Sequence, residues 1–527
     1  MLPSLETIKE ERKKLNMTQK KLAAMTGVST SMINQIESGR CKPSYDTAKR
    51  IFESLAKLEG QTSTRTAGDI CSEKIVRLTP NNTVREAGKK MHEKTIDQIP
   101  IFDDEYVTDL LVREDICFGA VSFNIKSGER TVHLADAVVL CTGGHTRIWR
   151  QSSSRKLENL GDGFYLGLKA GCELIDMEMV QFHPTGMLLP EEISGTLVTE
   201  AVRGEGGLLF NGLGERFMEK YDNKRMELST RDRVAIANYT EIIEGRGTKN
   251  GGVYLDISHK DKEFIISKVP KIYRQFIESQ FVDISKQPME VAPTAHYSMG
   301  GLLVTASNHK TNIQGLFAAG EVVGGLHGAN RLGGNSLAEI LIFGKIAGAS
   351  ATEYSKNLSS QLRSKEVIKN SLENISNKVK NGNFLAIPLQ EELRKIMWKY
   401  CGVIKEQNGL ETGLAKIKEL KNLSKDIDVR VEDNNFNDLV AAFDLNASLM
   451  CGEATILAAL NRLESRGAHN RKDYPLLDPN NLFNNIIKLK HNVLEVYTRD
   501  SDKPKYSLRK YLDNSKNENN LDKKLLE

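Results

Sequence analysis

The sequence predicts a multidomain α/β (α+β) protein preceded by an all-α N-terminal domain, and three observations predict it. The first 55 residues read as short capped helices, residues 105–144 alternate apolar and polar side chains as in a small sheet, and residues 389–467 carry apolar side chains at helical spacing. The chain of 527 residues also exceeds the roughly 250–300 residues that one hydrophobic core usually reaches.

The composition is that of an ordinary globular protein. Apolar residues make up 39% and charged residues 27% of the chain, and a net charge of +4 is too small to indicate nucleic-acid or membrane binding by itself. No apolar run approaches the ~18 residues of a spanning helix, and no signal-type apolar segment opens the chain. No two cysteines form a CxxC pair, which favours a reducing cytoplasm and argues against an iron–sulfur or zinc site in this chain. The cysteines are Cys41, Cys71, Cys117, Cys141, Cys172, Cys401 and Cys451.

Residues 1–60 are predicted to form a small helical domain. Thr18 is expected to cap one helix, Gly27 to supply a turn and Ser29 to cap a second helix. Two short helices joined by a glycine-containing turn are typical of a helix-turn-helix unit, and MTQKKLAAMTGVSTSMINQIESGRCKP resembles the Cro/repressor-type DNA-binding domain. A helical bundle without DNA function is the alternative. The resemblance implies that the second helix enters the major groove and that DNA is contacted by Gln19, Ser29, Thr30, Ser31, Asn34 and Gln35.

Residues 61–104 resemble the first part of a CBS motif, carried by AGDICSEKIVRLTPNNTVREAGKKMHEKTIDQIPIFDD. This segment predicts a strand over Ile75–Leu78, a helix from Thr83 to about His92 and a strand over Gln98–Phe102. The pattern stops at Asp104, although the family pairs two full motifs to bind a ligand. We therefore expect a linker remnant without a nucleotide site.

From Glu105 the sequence changes character. Alternating residues lead into AVVLCTGG, which predicts a buried strand running into Gly143 and Gly144, and the sequence GDG follows at residues 161–163. An ordinary junction between a strand and a turn would give the same short pattern, so the glycines alone do not indicate a function.

Imidazole and guanidinium groups recur between residues 181 and 335, next to glycine-rich turns. They lie in QFHPTG, TEAVRGEGG, STRDR, PTAHYSMGG and GANRLGGNSLAE. Arginine pairs with a carboxylate through a planar fork and keeps its charge at any working pH. The pattern therefore predicts a site for a small dianion, although each residue singly could be a turn histidine or a surface ion pair.

These segments resemble the flavoprotein subunit of succinate dehydrogenase and fumarate reductase, over roughly residues 105–475. The resemblance implies hydride transfer between succinate or fumarate and FAD, with an iron–sulfur partner subunit, and a peripheral position on the cytoplasmic face of the membrane. It implies an FAD-binding domain in two parts (105–182 and 296–352), a capping domain (183–295), a helical C-terminal domain (353–475) and a tail (476–527).

The resemblance also implies residue roles. Proton transfer would fall to Arg231, relayed by Glu200 and Arg203, and the two substrate carboxylates would be held by His183, Thr199, His296 and Arg331. The spacer MLLPEEIS between the His183 and Thr199 motifs is longer than in the family. FAD would be contacted by Gly143, Gly144, Asp162, Glu321, Ser336 and Leu337. Residues 336–350 predict a helix whose start faces the flavin or which packs on the sheet through Leu337, Ile340, Leu341 and Ile346.

An intact member of this family begins with a strand, a GxGxxG turn and a helix that bind the FAD pyrophosphate, and no such fingerprint precedes Glu105. We therefore expect weak FAD binding and an impaired enzyme, in a fragmentary fusion of two genes. The alternatives are a helix-turn-helix DNA-binding regulator carrying a relic enzyme half, an L-aspartate oxidase-like flavoenzyme, which shares several of the motifs, and a reading frame that makes no stable protein.

Two segments near the C-terminus, residues 389–422 and 434–467, predict helices of the C-terminal domain. The sequence NRLESRGAHNRKDYP (461–475) matches the family closely, and its Arg466, His469 and Arg471 are expected to be structural. The polar stretch 512–527 predicts disorder.

Overall fold

The computed structural model describes residues 17–41, 104–432 and 435–501, with a few further positions between 8 and 86. It divides into two compact units, residues 1–103 and residues 104–527. The predicted CBS-like strands and helix (67–104) lie outside the described residues, apart from positions 86 and 104, as does the predicted disordered stretch 512–527.

In the first unit two short helices, α1 (Gln19–Thr26) and α2 (Thr30–Glu37), follow one another as the sequence predicts. The Thr18 and Ser29 hydroxyls accept hydrogen bonds from backbone N–H groups of the first turns, and Gly27 between the helices has a φ of 67°. The helices bury Leu22 and Ile33 against each other. These caps and this turn are confirmed.

The second unit begins with an antiparallel sheet of β1 (Glu105–Arg113), β2 (Ile116–Asn124) and β3 (Arg130–Leu134). Both faces of β2 pack into the core, because Phe118, Val121 and Phe123 are almost fully buried. The alternation predicted for residues 105–144 is therefore realised as a meander of neighbouring strands.

Only two strands form a parallel sheet in the described part of the second unit. They are β4 (Val138–Leu140), which leads into Gly143, and β11 (Leu316–Ala318). The expected burial of β4 is realised at Leu140, 5% exposed, but not at Val139, 36% exposed. Parallel sheets usually have both faces covered, and the described part of this short sheet leaves Val139 partly exposed.

The long helix α9 (Asn335–Asn357) lies on this two-stranded sheet. The expected packing is wrong for Leu337, Ile340 and Leu341, which are 69%, 51% and 73% exposed, whereas Ile346 is partly buried. The buried residues of the helix are Glu339, Ala347 and Ala351. The described sheet has only two strands and leaves the first two turns of the helix largely exposed.

A four-stranded antiparallel sheet in the order β6-β9-β8-β7 forms the predicted capping region. Its strands are β6 (Val180–Met187), β7 (Leu208–Phe210), β8 (Val253–Asp256) and β9 (Met289–Ser298). The region has its own core, which includes Val202, Phe217, Leu255 and Phe276. The helices of this region are α4 (Ala201–Gly204), α5 (Met218–Tyr221), α6 (Arg231–Glu241), α7 (Lys262–Lys268) and α8 (Pro270–Gln280).

The C-terminal region is helical, as predicted from residues 389–467. Its helices are α10 (Lys365–Lys378), α11 (Ala386–Tyr400), α12 (Gln407–Leu423) and α13 (Asn437–Asn461), and α3 (Asp162–Ala170) packs on α13. By length and composition α13 could span a bilayer, which the sequence analysis did not anticipate. Because 72% of its apolar window is buried in protein, α13 is accounted for as the central core helix of this region.

The segment assigned as a tail after residue 475 contains a hairpin that the sequence analysis missed. Strands β12 (Phe483–Lys490) and β13 (Val493–Asp500) pair with each other, and β12 extends a small sheet with β5 (Leu174–Ile175) and β10 (Gly301–Leu302). Ile486 and Ile487 are fully buried there, so residues 483–500 belong to the folded body.

Candidate active site

Two histidines on adjacent strands form the centre of the candidate site. His183 lies on β6 and His296 on β9, which pair antiparallel, and their ring centroids are 5.6 Å apart with an interplanar angle of 78°. The backbone N–H of Thr185 donates to His183 Nδ1 at 3.3 Å. In a neutral imidazole the proton must then sit on Nε2, which is left to donate to a ligand.

Both histidines are neutral near pH 7. Burial, His296, Arg231 and Arg203 hold the pKa of His183 well below its usual range. Burial, Arg331 and Arg231 lower the pKa of His296 to about 3. His296 Nδ1 lies 2.9 Å from the Ser153 hydroxyl, which fixes the orientation of the ring. The two imidazoles therefore act as hydrogen-bonding groups and not as cations.

A chain of charged groups runs from Arg231, at the start of α6, to Glu200 and Arg203 beside α4. Glu200 Oε2 accepts from Arg231 Nε at 2.8 Å and lies 2.7 Å from Arg231 Nη2. On the other carboxylate oxygen, Glu200 Oε1 is 3.6 Å from Arg203 Nη2. The Arg203 side chain is 1% exposed and that of Glu200 is 46% exposed, so Glu200 connects the buried guanidiniums with solvent.

Arg331 approaches the site from the loop before α9 and has no carboxylate partner among the described residues. Its guanidinium lies 4.3 Å above the Tyr297 ring, and Nη2 donates to Gln181 Oε1 at 3.0 Å. Its Nε is buried without a hydrogen-bond partner in the part of the chain that the structure describes. Burial and the nearby Arg231 lower its pKa, because both disfavour the charged form.

Within 4.0 Å the guanidiniums of Arg203, Arg231 and Arg331 have one carboxylate partner among the described residues, Glu200, while both histidines are neutral. Glu227 acts on the pKa of Arg203 from farther away, and Glu321 and Glu339 act in the same way on that of Arg331. Thr199 is exposed beside Glu200, where its hydroxyl accepts from the Ala201 backbone N–H at 3.4 Å. The structure thus gathers the predicted histidines and arginines and places Thr199 beside Glu200, with no hydrogen bond to either imidazole among the described residues.

Glu321, one of the residues predicted to contact the cofactor, lies close enough to Arg331 to act on its pKa. Its Oε1 accepts from the Ser298 backbone N–H at 2.9 Å, and burial raises its pKa to about 7. A Cβ on Gly144 would lie 2.5 Å from Glu321 Oε1, so only a glycine permits this approach. Gly143 precedes it in a left-handed conformation with a φ of 74°. The structure thus brings Gly144 and Glu321 together.

Helix α9 begins with an unfilled N-terminus. Its N-cap is Gly334, no side chain caps the first turn, and Ser336 and Leu337 lie in that turn. The backbone N–H groups of Asn335 and Leu337 make long bonds of 3.3 Å to the Leu332 and Gly334 carbonyls, and the positive end of the helix dipole favours negative charge at this position. The exposed apolar side chains of the first two turns provide a flat surface beside them.

Asp162, which is also predicted to contact the cofactor, has hydrogen-bond partners that the sequence did not indicate. The Tyr106 hydroxyl lies 3.3 Å from Asp162 Oδ1 and donates to Asp444 Oδ1 at 2.8 Å. Burial raises the pKa of both carboxyl groups, that of Asp444 to about 7. The structure thus engages Asp162 with β1 and α13.

The described residues fit one end of FAD. Glu321, Gly144 and the uncapped start of α9 suit the ribityl chain and the electron-rich edge of the flavin ring. No strand, glycine turn and helix of the pyrophosphate-binding type occur in the described parts of the chain, and GxGxxG does not occur before Glu105. The described residues therefore include groups suited to the flavin end of FAD, but not a pyrophosphate-binding turn of the usual kind.

The predicted DNA-contacting residues of the first unit differ in whether they are exposed or bonded within the unit. Thr30, Ser31, Asn34 and Gln35 are exposed on α2, and Ser29 is its cap. Gln19 is instead engaged inside the unit, because its Nε2 donates to Glu37 Oε2 at 2.7 Å.

Four residues that position the site were missed from the sequence. Ser153 orients His296, while Gln181 and Tyr297 hold Arg331. A Cβ on Gly333 would lie 2.9 Å from Arg231 Nη2, so this glycine makes room for the guanidinium. The one available signal was that Gln181 lies two residues before His183 and therefore on the same face of a strand.

A cationic site between a capping sheet and a fragment of parallel sheet, with a helix start aimed at it, is typical of FAD-dependent oxidoreductases. Residues 29–337 match the family described as an FAD binding domain, and residues 390–511 match the fumarate reductase flavoprotein C-terminal family.

Similar proteins include one chain of the fumarate reductase (CoM/CoB) of Methanothermobacter marburgensis. It is 42% identical over 423 residues, which are 80% of this chain and 74% of that protein. The succinate dehydrogenase flavoprotein subunit of Rickettsia conorii is 37% identical over 72% of this chain and 65% of its own length. The chain belongs to the family of succinate dehydrogenase and fumarate reductase flavoprotein subunits, which are FAD-dependent oxidoreductases.

Solved structures agree with this assignment. Mycobacterium smegmatis Sdh1 in complex with UQ1 superposes with a TM-score of 0.72 and 33% identity, over 90% of this chain and 76% of that chain. A chain of quinol-fumarate reductase with menaquinol molecules gives a TM-score of 0.72 and 30% identity, over 88% of this chain and 78% of that chain.

Proposed function

We propose that this chain interconverts succinate and fumarate as the flavoprotein subunit of a larger complex. The observation that carries the proposal is the gathering of three guanidiniums and two neutral imidazoles, with Glu200 as the one directly paired carboxylate among the described residues. This set of donors suits a ligand with two negative charges.

The substrate carboxylates are held by Arg331, His296, His183 and Thr199. The Arg331 guanidinium is free to pair with a substrate carboxylate, because its contacts are with the Tyr297 ring and the Gln181 amide and not with a directly paired carboxylate in the described part of the chain. His183 offers Nε2–H as a donor, since Thr185 occupies Nδ1. Donors fixed in advance around both carboxylates polarise the double bond between them without reorganising during the reaction.

FAD, when bound, supplies the hydride transfer, and this chain's residues move the proton. In fumarate reduction Arg231 gives a proton to the substrate carbon, and Glu200, which already accepts from Arg231 Nε, returns one to it. Glu200 is the exposed member of the relay and exchanges protons with solvent, with Arg203 on its other oxygen. In succinate oxidation the proton moves the other way.

The cofactor residues of this proposal are Glu321, Ser336 and Leu337 at the flavin, with Gly143, Gly144 and Asp162 close to the nucleotide. Its domains are an FAD-binding domain over 105–182 and 296–352, a capping domain over 183–295 and a helical domain over 353–475, to which the hairpin 483–500 is added. The chain exchanges electrons with an iron–sulfur subunit, receiving them in fumarate reduction and passing them on in succinate oxidation, and it lies at the membrane face through that partner.

Steady-state kinetics of the FAD-supplied chain test the proposal. Anaerobic fumarate reduction by a reduced viologen dye is measured for the wild type, Arg231→Gln and the control Arg274→Gln, which changes an exposed arginine of α8. Loss of the proton donor is expected to lower kcat by about 10²–10⁴-fold, as for general acid–base groups elsewhere. The control should retain full activity. Equal rates for both variants would contradict the proposed role, and preferential turnover of L-aspartate would favour the aspartate oxidase alternative.

We also propose that the first unit is a Cro/repressor-type domain fused through the CBS-like segment. In its favour, α2 buries Ile33 and Ile36 while Thr30, Asn34 and Gln35 are exposed on its other side. A helix with this division can read a groove. Selection of bound sequences from a random DNA pool tests it. Enrichment that is lost in the Asn34→Ala, Gln35→Ala double variant is expected, and no enrichment would contradict DNA recognition.

A further inference from the structure

A cavity lies between the capping region and helix α11. Its volume is about 710 Å³, within the range usual for small-molecule sites. Its walls come from residues 147–156, from the long spacer 188–194, from residues 239–251 and from residues 391–398. None of the histidines, arginines or acidic residues of the active site lines it.

The floor of this cavity holds an arginine without a partner. Arg147 lines the cavity with 9% of its surface exposed, and its Nε has no hydrogen-bond partner in the described part of the chain. Burial, with the adjacent Arg394, lowers its pKa to about 10. A buried charged group without a partner is unfavourable, and a negatively charged ligand that paired with Arg147 would relieve this cost.

Arg394, from α11, brings a second guanidinium to the same place. Its Nε donates to the Arg147 carbonyl at 3.2 Å, and its Nη2 donates to the Lys156 carbonyl at 3.3 Å. Glu391 and Asp444 are close enough to act on the pKa of Arg394, but no carboxylate lies within 4.0 Å of Arg147 or Arg394 among the residues described. The two neighbouring guanidiniums thus have no directly paired carboxylate in that part of the chain.

The rest of the lining combines further cations with an aromatic wall. Arg150 and Lys156 are exposed at the cavity, whereas Glu191 and Glu192 lie on the spacer loop. The Tyr239 and Trp398 rings meet edge to face with centroids 6.2 Å apart and form one wall. A ligand that fits these walls has a compact negative group and an aromatic or apolar body.

We propose that this cavity binds an organic phosphate, with the phosphate between Arg147 and Arg394 and the body against Tyr239 and Trp398. Adjacent guanidiniums present several donors, and a phosphate with three acceptor oxygens and close to two negative charges can satisfy both. The site is separate from the dicarboxylate site, and its occupation does not depend on FAD or on turnover.

Calorimetric titration of the full chain with phenyl phosphate tests the inference, first without succinate and then with succinate in excess so that the active site is occupied. The wild type is expected to bind one equivalent. Arg147→Gln is expected to weaken binding at least about tenfold, and Arg150→Gln, at the exposed edge, about threefold, as charge-assisted contacts are lost. Arg274→Gln, on an exposed surface outside the cavity, should bind like the wild type.

Three results would overturn the inference: no binding by the wild type, binding that excess succinate abolishes, or unchanged affinity in Arg147→Gln. If Arg147→Gln does not fold, unchanged affinity in Arg150→Gln has the same meaning. Inorganic phosphate is titrated in parallel. Equal affinity for it would contradict the proposed contact of the ligand body with Tyr239 and Trp398.

Discussion

Gly333→Ala tests the geometry of the proton donor without touching any charged group. The new Cβ would lie 2.9 Å from Arg231 Nη2 and 3.4 Å from its Cζ, closer than such atoms normally approach. The contact is with the flexible end of a side chain, so relief requires the guanidinium to move by about 0.5 Å, well within rotamer adjustment. Gly333 has no positive φ that alanine would resist.

The change should therefore separate activity from stability. Misplacing a reacting group by a fraction of an ångström to one ångström costs up to about 10²-fold in rate, so kcat for fumarate reduction should fall by about 10–100-fold. The free energy of unfolding should change by no more than about 0.5 kcal/mol, as for other changes away from packed cores. Viologen-linked fumarate reduction and thermal unfolding measure the two quantities.

Gly348→Ala is the matched control, because it lies in α9 with nothing within 4 Å of the added Cβ. It should keep wild-type kcat. If Gly333→Ala also keeps wild-type kcat at equal FAD content, Arg231 does not transfer the proton from the observed position.

Two further predictions concern the carboxylates and the cofactor. Glu200→Gln keeps the shape of the side chain but removes the exposed proton carrier that bonds Arg231, so kcat should fall by about 10²–10⁴-fold with FAD content unchanged, and a wild-type pH–rate profile would contradict the relay. Burial raises the folded-state pKa of Glu321 to about 7, above its ordinary value, so its contribution to stability is present at low pH and is lost as pH rises through about 7. Between pH 4.5 and pH 8 the free energy of unfolding of the FAD-free wild-type chain should fall by up to about 3 kcal/mol more than that of the FAD-free Glu321→Gln variant, as measured by thermal unfolding. Equal pH dependence of the two unfolding free energies would refute this.

The sequence could predict the elements whose signals are local. Thr18, Gly27 and Ser29 mark helix ends by capping and turn chemistry, and the structure has those ends. His183, His296, Arg231 and Arg331 were recognised as one constellation because each sits in a segment with distinctive neighbours. The structure gathers them, and their assigned roles remain predictions.

Other features depend on contacts between distant segments. Ser153 and Tyr297 act only through residues far along the chain, and Asp162 meets Tyr106 and Asp444 across the fold. The apolar face of α9 has the period of a packed helix, but the described sheet beneath it has only two strands. The hairpin 483–500 pairs along eight residues of its own strands around His491 and Asn492, and its place in the folded body depends on a two-residue pairing with the distant strand β5.

The central claim, that the site reduces fumarate with electrons from flavin, is tested most directly by one spectrum. The chain is incubated with FAD, desalted, reduced anaerobically and mixed with fumarate while the visible absorbance is followed. Because no pyrophosphate turn of the usual kind precedes Glu105, we expect only a fraction of the FAD to survive desalting. In that fraction the oxidised flavin bands should return on adding fumarate, and not on adding buffer. Retained flavin that stays reduced with fumarate present would contradict the account.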